Sequence, residues 1–185
     1  MAFPAMGRRG KARLTFKITY PNRTIREVER LYAARDADPR IEIIDTNVSD
    51  TALHELIASA TAYVSPHRSE GLGLTVIEAM ASLTPVIATP YGGVGQFVTP
   101  DTAYPIDYQV VEIKDDYPPY PKGFVWADPN IGSLAHRLRD VADNERERYA
   151  RTERARARVI NTFASEALLA IYRDELERIR QCVFG

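Results

Sequence analysis

Residues 63–90, YVSPHRSEGLGLTVIEAMASLTPVIATP, decide the fold. Tyr63 and Val64, with Thr61 and Ala62 ahead of them, form a short β-prone run. Pro66 stops it, because proline has no N–H to give a strand ladder. A loop follows with Gly71 and Gly73, where the backbone can adopt angles and close approaches that a side chain would block. Residues 74–82 favour helix, and the i, i+3, i+4 spacing of Leu74, Ile77, Met80 and Ala81 predicts its buried face. Thr84-Pro85 ends that helix, and Val86-Ile87-Ala88 predicts a second short buried strand. Strand, helix, strand is the repeating unit of a doubly wound sheet.

Two carboxylates frame the glycine turn, Glu70 in the loop and Glu78 one turn into the helix. A helix opening near Gly73 points unpaired N–H groups and its positive dipole end outward, which suits a phosphate. Glu78 lies roughly 6 Å along the axis from that end at about 1.5 Å per residue, within reach of a sugar attached to the phosphate. Carboxylates accept hydrogen bonds from hydroxyl groups. A ligand with phosphate in the middle and polyols on both sides fits, which describes a nucleotide-diphosphate sugar with Glu78 on the ribose and Glu70 on the transferred sugar. Acids alone would repel the diphosphate, so basic groups are also needed. His67 and Arg68 share this loop, and Arg68 is a candidate for that charge, an exposed arginine being the simpler alternative.

The 185 residues suffice for one α/β domain with a substantial core. Hydrophobic residues at 45% and charged ones at 26% are ordinary for a globular protein and argue against disorder. A net charge of −1 does not indicate nucleic acid as the main partner. Cys182 is the one cysteine, which rules out an internal disulfide and a cysteine-based metal site and is compatible with a reducing cytosol. The N-terminus has neither an apolar run long enough to span a bilayer nor the hydrophobic segment of a signal peptide, so a cytoplasmic location is expected.

Residues 1–13, with Pro4, Gly7, Gly10 and four basic side chains, read as a loose basic lead-in. The alternation of Leu14, Phe16, Ile18 and Tyr20 predicts a strand ended by Pro21. Ile25, Val28, Leu31 and Tyr32 predict a helix, residues 36–40 a loop and residues 41–44 a short strand. Ser49 or Asp50 caps a further helix with Leu53, Leu56, Ile57 and Ala60 on its buried face. Alternating strands and helices imply a parallel sheet with helices on both sides, and ligands collect at the carboxyl ends of such strands. Tyr91-Gly92-Gly93-Val94-Gly95 forms a second glycine loop at that end, so either loop could face the ligand. Residues 107–130 hold four prolines among Tyr108, Tyr117, Tyr120 and Trp126, which predicts an irregular loop pinned by aromatics. The C-terminal third reads as three helical segments, carrying Leu134, Leu138 and Val141, then Tyr149, Val159 and Phe163, then Leu168, Ile171, Tyr172, Leu176 and Ile179. Six arginines in residues 146–158 read as a solvated helix face, the sharper alternative being peripheral contact with an anionic membrane. Asp36 and Asp38 spell a short acid pair, but between a helix and Pro39 they read as a solvated turn, and no metal is expected. Gly71 to Val76 lacks the third glycine of a dinucleotide fingerprint, which sets a nicotinamide cofactor aside.

Ser65-Pro66, SEGLGLTVIEAMA with Glu70 and Glu78, and Pro85-Val86-Ile87-Ala88 together resemble the C-terminal, donor-binding half of retaining GT-B glycosyltransferases of the family-4 type. The segment YPKGFVWADP resembles a subgroup of the same enzymes. The resemblance implies a Rossmann-like doubly wound parallel sheet and a role in polysaccharide biosynthesis. It further implies metal-independent, retaining transfer of a hexosyl-type sugar from a UDP- or GDP-linked donor, with no other cofactor. It places Glu70 on the donor sugar as the catalytic candidate, Gly71, Leu72, Gly73, Leu74 and Thr75 on sugar and diphosphate, and Glu78 on the ribose. His67 and Arg68 are the added donor-binding candidates. The expected domain is residues 14–145, followed by C-terminal helices over 146–185. Such enzymes pair two Rossmann-like halves, so an acceptor-binding domain or chain is the expected partner. Their donor half opens with a strand that this sequence lacks ahead of Leu14, central in the 3-2-1-4-5-6 order. The alternative of another class is a non-catalytic nucleotide-sugar binding module or a truncated remnant.

Overall fold

The computed structural model describes residues 12–19 and 25–184. Residues 1–11 of the basic lead-in, and Tyr20 and Pro21 at the expected end of the first strand, lie outside them. Strand β1 (Leu14–Lys17) pairs in parallel with β2 (Ile41–Ile44), in register Leu14 to Ile41, and helix α1 (Arg26–Ala37) connects them. Helix α2 (Asp50–Ser59) leads to β3 (Tyr63–Ser65), then α3 (Leu74–Ala81), β4 (Val86–Ala88) and β5 (Tyr104–Pro105). These last three strands form a second parallel sheet in the order β3-β4-β5. Among the described residues no ladder joins β1 to β3.

Both faces of the second sheet are covered, as the alternation of side chains along β4 requires. Val86 and Ala88 point to one side, into a core with Val76, Ala79 and Met80 of α3, Ile57 of α2, and Ala155 and Val159 of helix α5 (Glu145–Phe163). Ile87 points to the other, with Tyr104, Ile106, and Leu134 and Val141 of helix α4 (Ile131–Asp143). A strand buried on both faces needs three apolar residues in a row, and Val86-Ile87-Ala88 are all buried.

Two expectations are corrected here. The buried residues of α3 are Val76, Ala79 and Met80, with Ile77 packed against them, whereas Leu74 is 65% exposed and Ala81 is exposed. Leu74 is the first helical residue, so it hangs over the open end of the loop rather than over the sheet. Residues 107–130 are a hairpin in which β6 (Tyr108–Glu112) pairs antiparallel with β7 (Val125–Pro129). The prolines that break helix at 118, 119 and 121 sit in the connection and leave both strands intact. The aromatic pinning is present. Tyr117 and Tyr120 meet the Trp126 ring edge to face, at 5.7 and 5.9 Å between centroids.

Three of the six arginines of α5, Arg148, Arg151 and Arg154, fasten the helix to the body, while Arg146, Arg156 and Arg158 are exposed. Arg151 donates to Glu147 and to the Ala103 carbonyl while lying over the Tyr104 ring, and Arg154 donates to the Asp101 carbonyl. Asp36 pairs with Arg35 and Asp38 with Arg40, which holds the Asp38 carboxyl down at about 2 through the hydrogen bonds from Arg40. Helix α2 starts at the cap expected for it, since the Ser49 hydroxyl accepts from the Ala52 N–H at 3.2 Å. Ser49→Ala is expected to cost about 1 kcal/mol, lowering the thermal midpoint by about 3 °C for a chain of this size. Ser49→Thr should restore most of it, and a melt in which both variants match the parent would show that the cap contributes nothing.

Candidate functional site

The site lies where β3 and β4 end. After Ser65 the chain cannot continue pairing at Pro66 and turns into the loop 66–73, which ends on Gly73 in the left-handed region at φ 75°. Gly73 is the residue before α3, and no side chain caps that helix. The first intrahelical bond runs from Ile77 N–H to the Gly73 carbonyl, which leaves the amides of Leu74, Thr75 and Val76 open at the positive end of the dipole.

The two glycine loops have different tasks. Gly92 has φ 84°, and a Cβ there would run into the Glu70 carbonyl oxygen. A Cβ on Gly93 would run into the carbonyl oxygen of Gly71. The second loop is therefore a backbone buttress packed against the first. Gly73 faces Val94 of the short 3₁₀ turn Gly93–Gln96, at 2.9 Å for an added Cβ. Gly71 alone in this group has nothing within 4 Å of where its Cβ would stand. The open side of the site is at Gly71, on the first loop.

Glu70 and Glu78 are both half-buried, and among the described residues neither carboxylate has a hydrogen-bond or ion-pair partner. A half-buried charge without a partner loses part of its hydration for no return, so such acids are rare unless a ligand completes them. Within electrostatic reach of both is Tyr63, whose hydroxyl is 2.7 Å from the Thr75 hydroxyl. Burial raises the Tyr63 phenol above its ordinary value, the bond to Thr75 works against that rise, and the nearby Glu70 and Glu78 charges add to it. Tyr63 thus joins the expected site residues. Sequence reading assigns it to the strand alone, because a tyrosine on a β-prone run looks like core; its signal is its position directly ahead of the loop.

His67 and Arg68 hold the loop in place. The His67 Nε2 is 3.2 Å from the Tyr91 carbonyl, which can only accept, so this nitrogen carries a proton, and Nδ1 lies 3.1 Å from the Ser65 hydroxyl. His67 thereby ties the first glycine loop to the second, and Tyr91 packs edge-on against Tyr108 of β6 at 5.6 Å. The Arg68 guanidinium pairs with Asp128 at 2.7 Å and lies 4.9 Å from the Trp126 ring centre, while its carbonyl accepts from Ala127 N–H. The hairpin therefore clasps this arginine from both its backbone and its side chain. Leu72 and Leu74 are exposed beside the opening, at 43% and 65%. Among the described residues no three His, Cys, Asp or Glu side chains come together as a metal site, and no helix is long and apolar enough to cross a membrane.

The family described as glycosyl transferases group 1 matches residues 27–158, which include both glycine loops and both acids. The chain belongs to that family. No curated protein sequence matches it. Among solved structures, a TarM mutant of S. aureus in complex with fondaparinux, α-GlcNAc-glycerol and UDP is 18% identical. It has a TM-score of 0.60 over 86% of this chain and 28% of its own. The pneumococcal O-GlcNAc transferase GtfA, in complex with UDP and GlcNAc, is 20% identical, with a TM-score of 0.57 over 90% and 29%. The C-terminal domain of the group 1 protein LpcC from Francisella tularensis is 20% identical, with a TM-score of 0.53 over 74% and 60%. At these identities the likeness is one of fold, and it bears out the Rossmann-like half of a GT-B glycosyltransferase expected from the motif. This group 1 chain spans between about a quarter and three fifths of the lengths of those neighbours.

Proposed function

We propose that this chain is the donor-binding part of a retaining glycosyltransferase that moves a hexosyl-type sugar from a nucleotide diphosphate to an acceptor. The observation that carries the reading is the pair of half-buried carboxylates without a partner among the described residues, Glu70 ahead of an uncapped helix start and Glu78 one turn into that helix, at a loop that is open at Gly71. The amides of Leu74 and Thr75 take the diphosphate, Glu78 accepts from the ribose hydroxyls, and Glu70 accepts from hydroxyls of the transferred sugar. Gly71 and Leu72 let the backbone approach the sugar, and Gly73 sets the helix start. In the reaction the bond from the anomeric carbon to the donor phosphate breaks and a bond to the acceptor hydroxyl forms. The leaving phosphate receives the acceptor's proton, so charge is balanced without a metal.

Arg68 and His67 act on this site as its frame, and Arg68, although paired with Asp128, is half exposed and offers its remaining N–H groups to the diphosphate. UDP is the favoured donor nucleotide, since two neighbours of the same fold are described with UDP. GDP is the second choice. The acceptor is held by a separate domain or chain, at the cytoplasmic face of a membrane where polysaccharide precursors are assembled. Family membership favours this transferase reading over a non-catalytic binding module.

Titration calorimetry of the chain with UDP, GDP and their hexose-linked forms tests it. At least one is expected to give saturable heat, with the sugar-linked form binding more tightly than the free nucleotide because only it reaches Glu70. Absence of heat with all of them would remove the donor-site reading from this chain.

A further inference from the structure

One strand holds Arg68 at three points. The Ala127 N–H donates to its carbonyl at 2.8 Å, its guanidinium pairs with Asp128 at 2.7 Å, and the same guanidinium lies 4.9 Å from the Trp126 ring centre. Ala127 is fully buried, so Trp126 and Asp128, its neighbours on β7, share the opposite face of the strand, and the Arg68 side chain meets both. Trp126 is itself braced by Tyr117 and Tyr120, which meet it edge to face. The Arg68 and Asp128 side chains are 47 and 51% exposed, and an ion pair that open adds little to the stability of a fold. What these contacts remove is the rotamer freedom of a long cationic side chain. In sequence, Arg68 is the single lysine or arginine between Arg40 and Lys114, the stretch that carries both glycine loops, Glu70 and Glu78. Any cationic lysine or arginine that this stretch brings to a diphosphate is therefore Arg68.

We infer that the β6–β7 hairpin is part of the donor site, with Trp126 and Asp128 as positioning residues that hold the Arg68 guanidinium ready for the sugar-bearing phosphate. The inference rests on the donor-site reading given above and names the phosphate that Arg68 serves. Arg68 stands two residues ahead of Glu70, at the sugar end of the loop, and ten ahead of Glu78, at the ribose end. Of the two phosphates, the one joined to the sugar falls to it. That phosphate gains negative charge as the sugar departs, so a cation fixed beside it acts where charge develops. A guanidinium ordered in advance loses little further freedom when the anion arrives, and its hydrogen bonds count more nearly in full. The Asp128 contact engages Nη2 and leaves other guanidinium N–H groups for the phosphate.

Titration calorimetry of the full chain with UDP, and with UMP by competition against UDP, tests the inference, because the two differ in the phosphate to which a sugar is joined. Trp126→Leu keeps an apolar side chain in the hairpin without a flat face. It should weaken UDP by about three- to tenfold and leave UMP within about twofold, whereas Trp126→Phe should keep most of the parent's affinity. Asp128→Asn and Asp128→Ala both lose the charge and differ in the oxygen that holds Arg68, so the Asn variant should bind UDP about threefold tighter than the Ala variant. With Arg68→Ala also present, each of these differences should vanish, which a merely structural role of the hairpin does not produce. Trp126 is the one tryptophan, so UDP should change the parent's tryptophan emission and leave that of Arg68→Ala unchanged at saturation. Differences that persist without Arg68, equal losses for UDP and UMP, or a Trp126→Leu protein that binds UDP as well as the parent or better would overturn the inference and leave the donor site standing. A parent that gives no heat with UDP or its sugar-linked form removes the donor-site reading itself, and this inference with it.

Discussion

Replacing Gly92 by alanine is expected to lower the unfolding midpoint by on the order of 10 °C, whereas Gly71→Ala, 21 residues earlier, leaves it in place or raises it slightly. Gly92 has φ 84° and ψ −160°, a region that only glycine occupies without strain, which costs an alanine about 2 kcal/mol. Its new Cβ also meets the Glu70 carbonyl oxygen, a backbone atom with no rotamer to escape into. Moving that carbonyl, or Gly92 itself, costs about 2 kcal/mol more. A total of about 4 kcal/mol sits at the far end of single-site effects. At Gly71 an added Cβ meets nothing, φ is not in the left-handed region, and the smaller unfolded ensemble of alanine offsets any residual cost, for a net change within about 0.5 kcal/mol. Binding reverses the order of interest. Gly71→Ala keeps the fold yet places a methyl group in the open side of the site, so nucleotide-sugar heat should fall while the melt is unchanged. Chemical denaturation and calorimetry on the two variants separate buttress from binding loop. If Gly92→Ala unfolded at the parent's midpoint, the buttress account would be wrong.

That division between the two loops was not legible in the sequence, and the reason is physical. Both loops are glycine-rich and both follow a strand, but what each glycine avoids is a carbonyl or a side chain brought to it by the tertiary fold. Local pattern carries the rest well. Tyr63, Val64 and the stop at Pro66 make β3, Thr84-Pro85 ends α3, and Val86-Ile87-Ala88 make β4, because proline and β-branched residues constrain the backbone through their own atoms. The rotation of α3 is different. In LTVIEAMA the two polar residues, Thr75 and Glu78, stand i and i+3 on the face that also carries exposed Leu74 and Ala81, so the polar positions mark the outward side, and the apolar spacing alone misplaces the buried one because six of the eight side chains are apolar. The hairpin is hidden for another reason. YQVVE and VWADP are each too short to show alternation beside a connection full of proline and tyrosine, and their pairing depends on a contact across the chain. Glu70 and Glu78 were legible as candidates from spacing. Their lack of partners among the described residues, and the Tyr63 phenol near both, needed the fold.

Glu78→Ala is expected to weaken the sugar nucleotide by about ten- to a hundredfold while leaving the free protein as stable as before or slightly more so. A carboxylate accepting from a ribose hydroxyl is a charged hydrogen bond of about 1.5–3 kcal/mol, and each 1.4 kcal/mol is a factor of about ten in affinity. In the free protein the same carboxylate is half-buried near the Tyr63 phenol, with no described partner to stabilise it. Removing it relieves incomplete hydration, so the melt should hold or rise by a few tenths of a kcal/mol, as happens where a site is maintained against the stability of the fold. A structural acid behaves in the opposite way, since its loss lowers stability and leaves binding alone. The contrast between free nucleotide and nucleotide sugar then assigns the two acids separately. Glu78→Ala should weaken both ligands alike, because both contain the ribose, whereas Glu70→Ala should weaken only the sugar-linked form. Should Glu70→Ala weaken free UDP as strongly as UDP-sugar, that acid contacts the nucleotide and the order of the ligand along the loop is reversed.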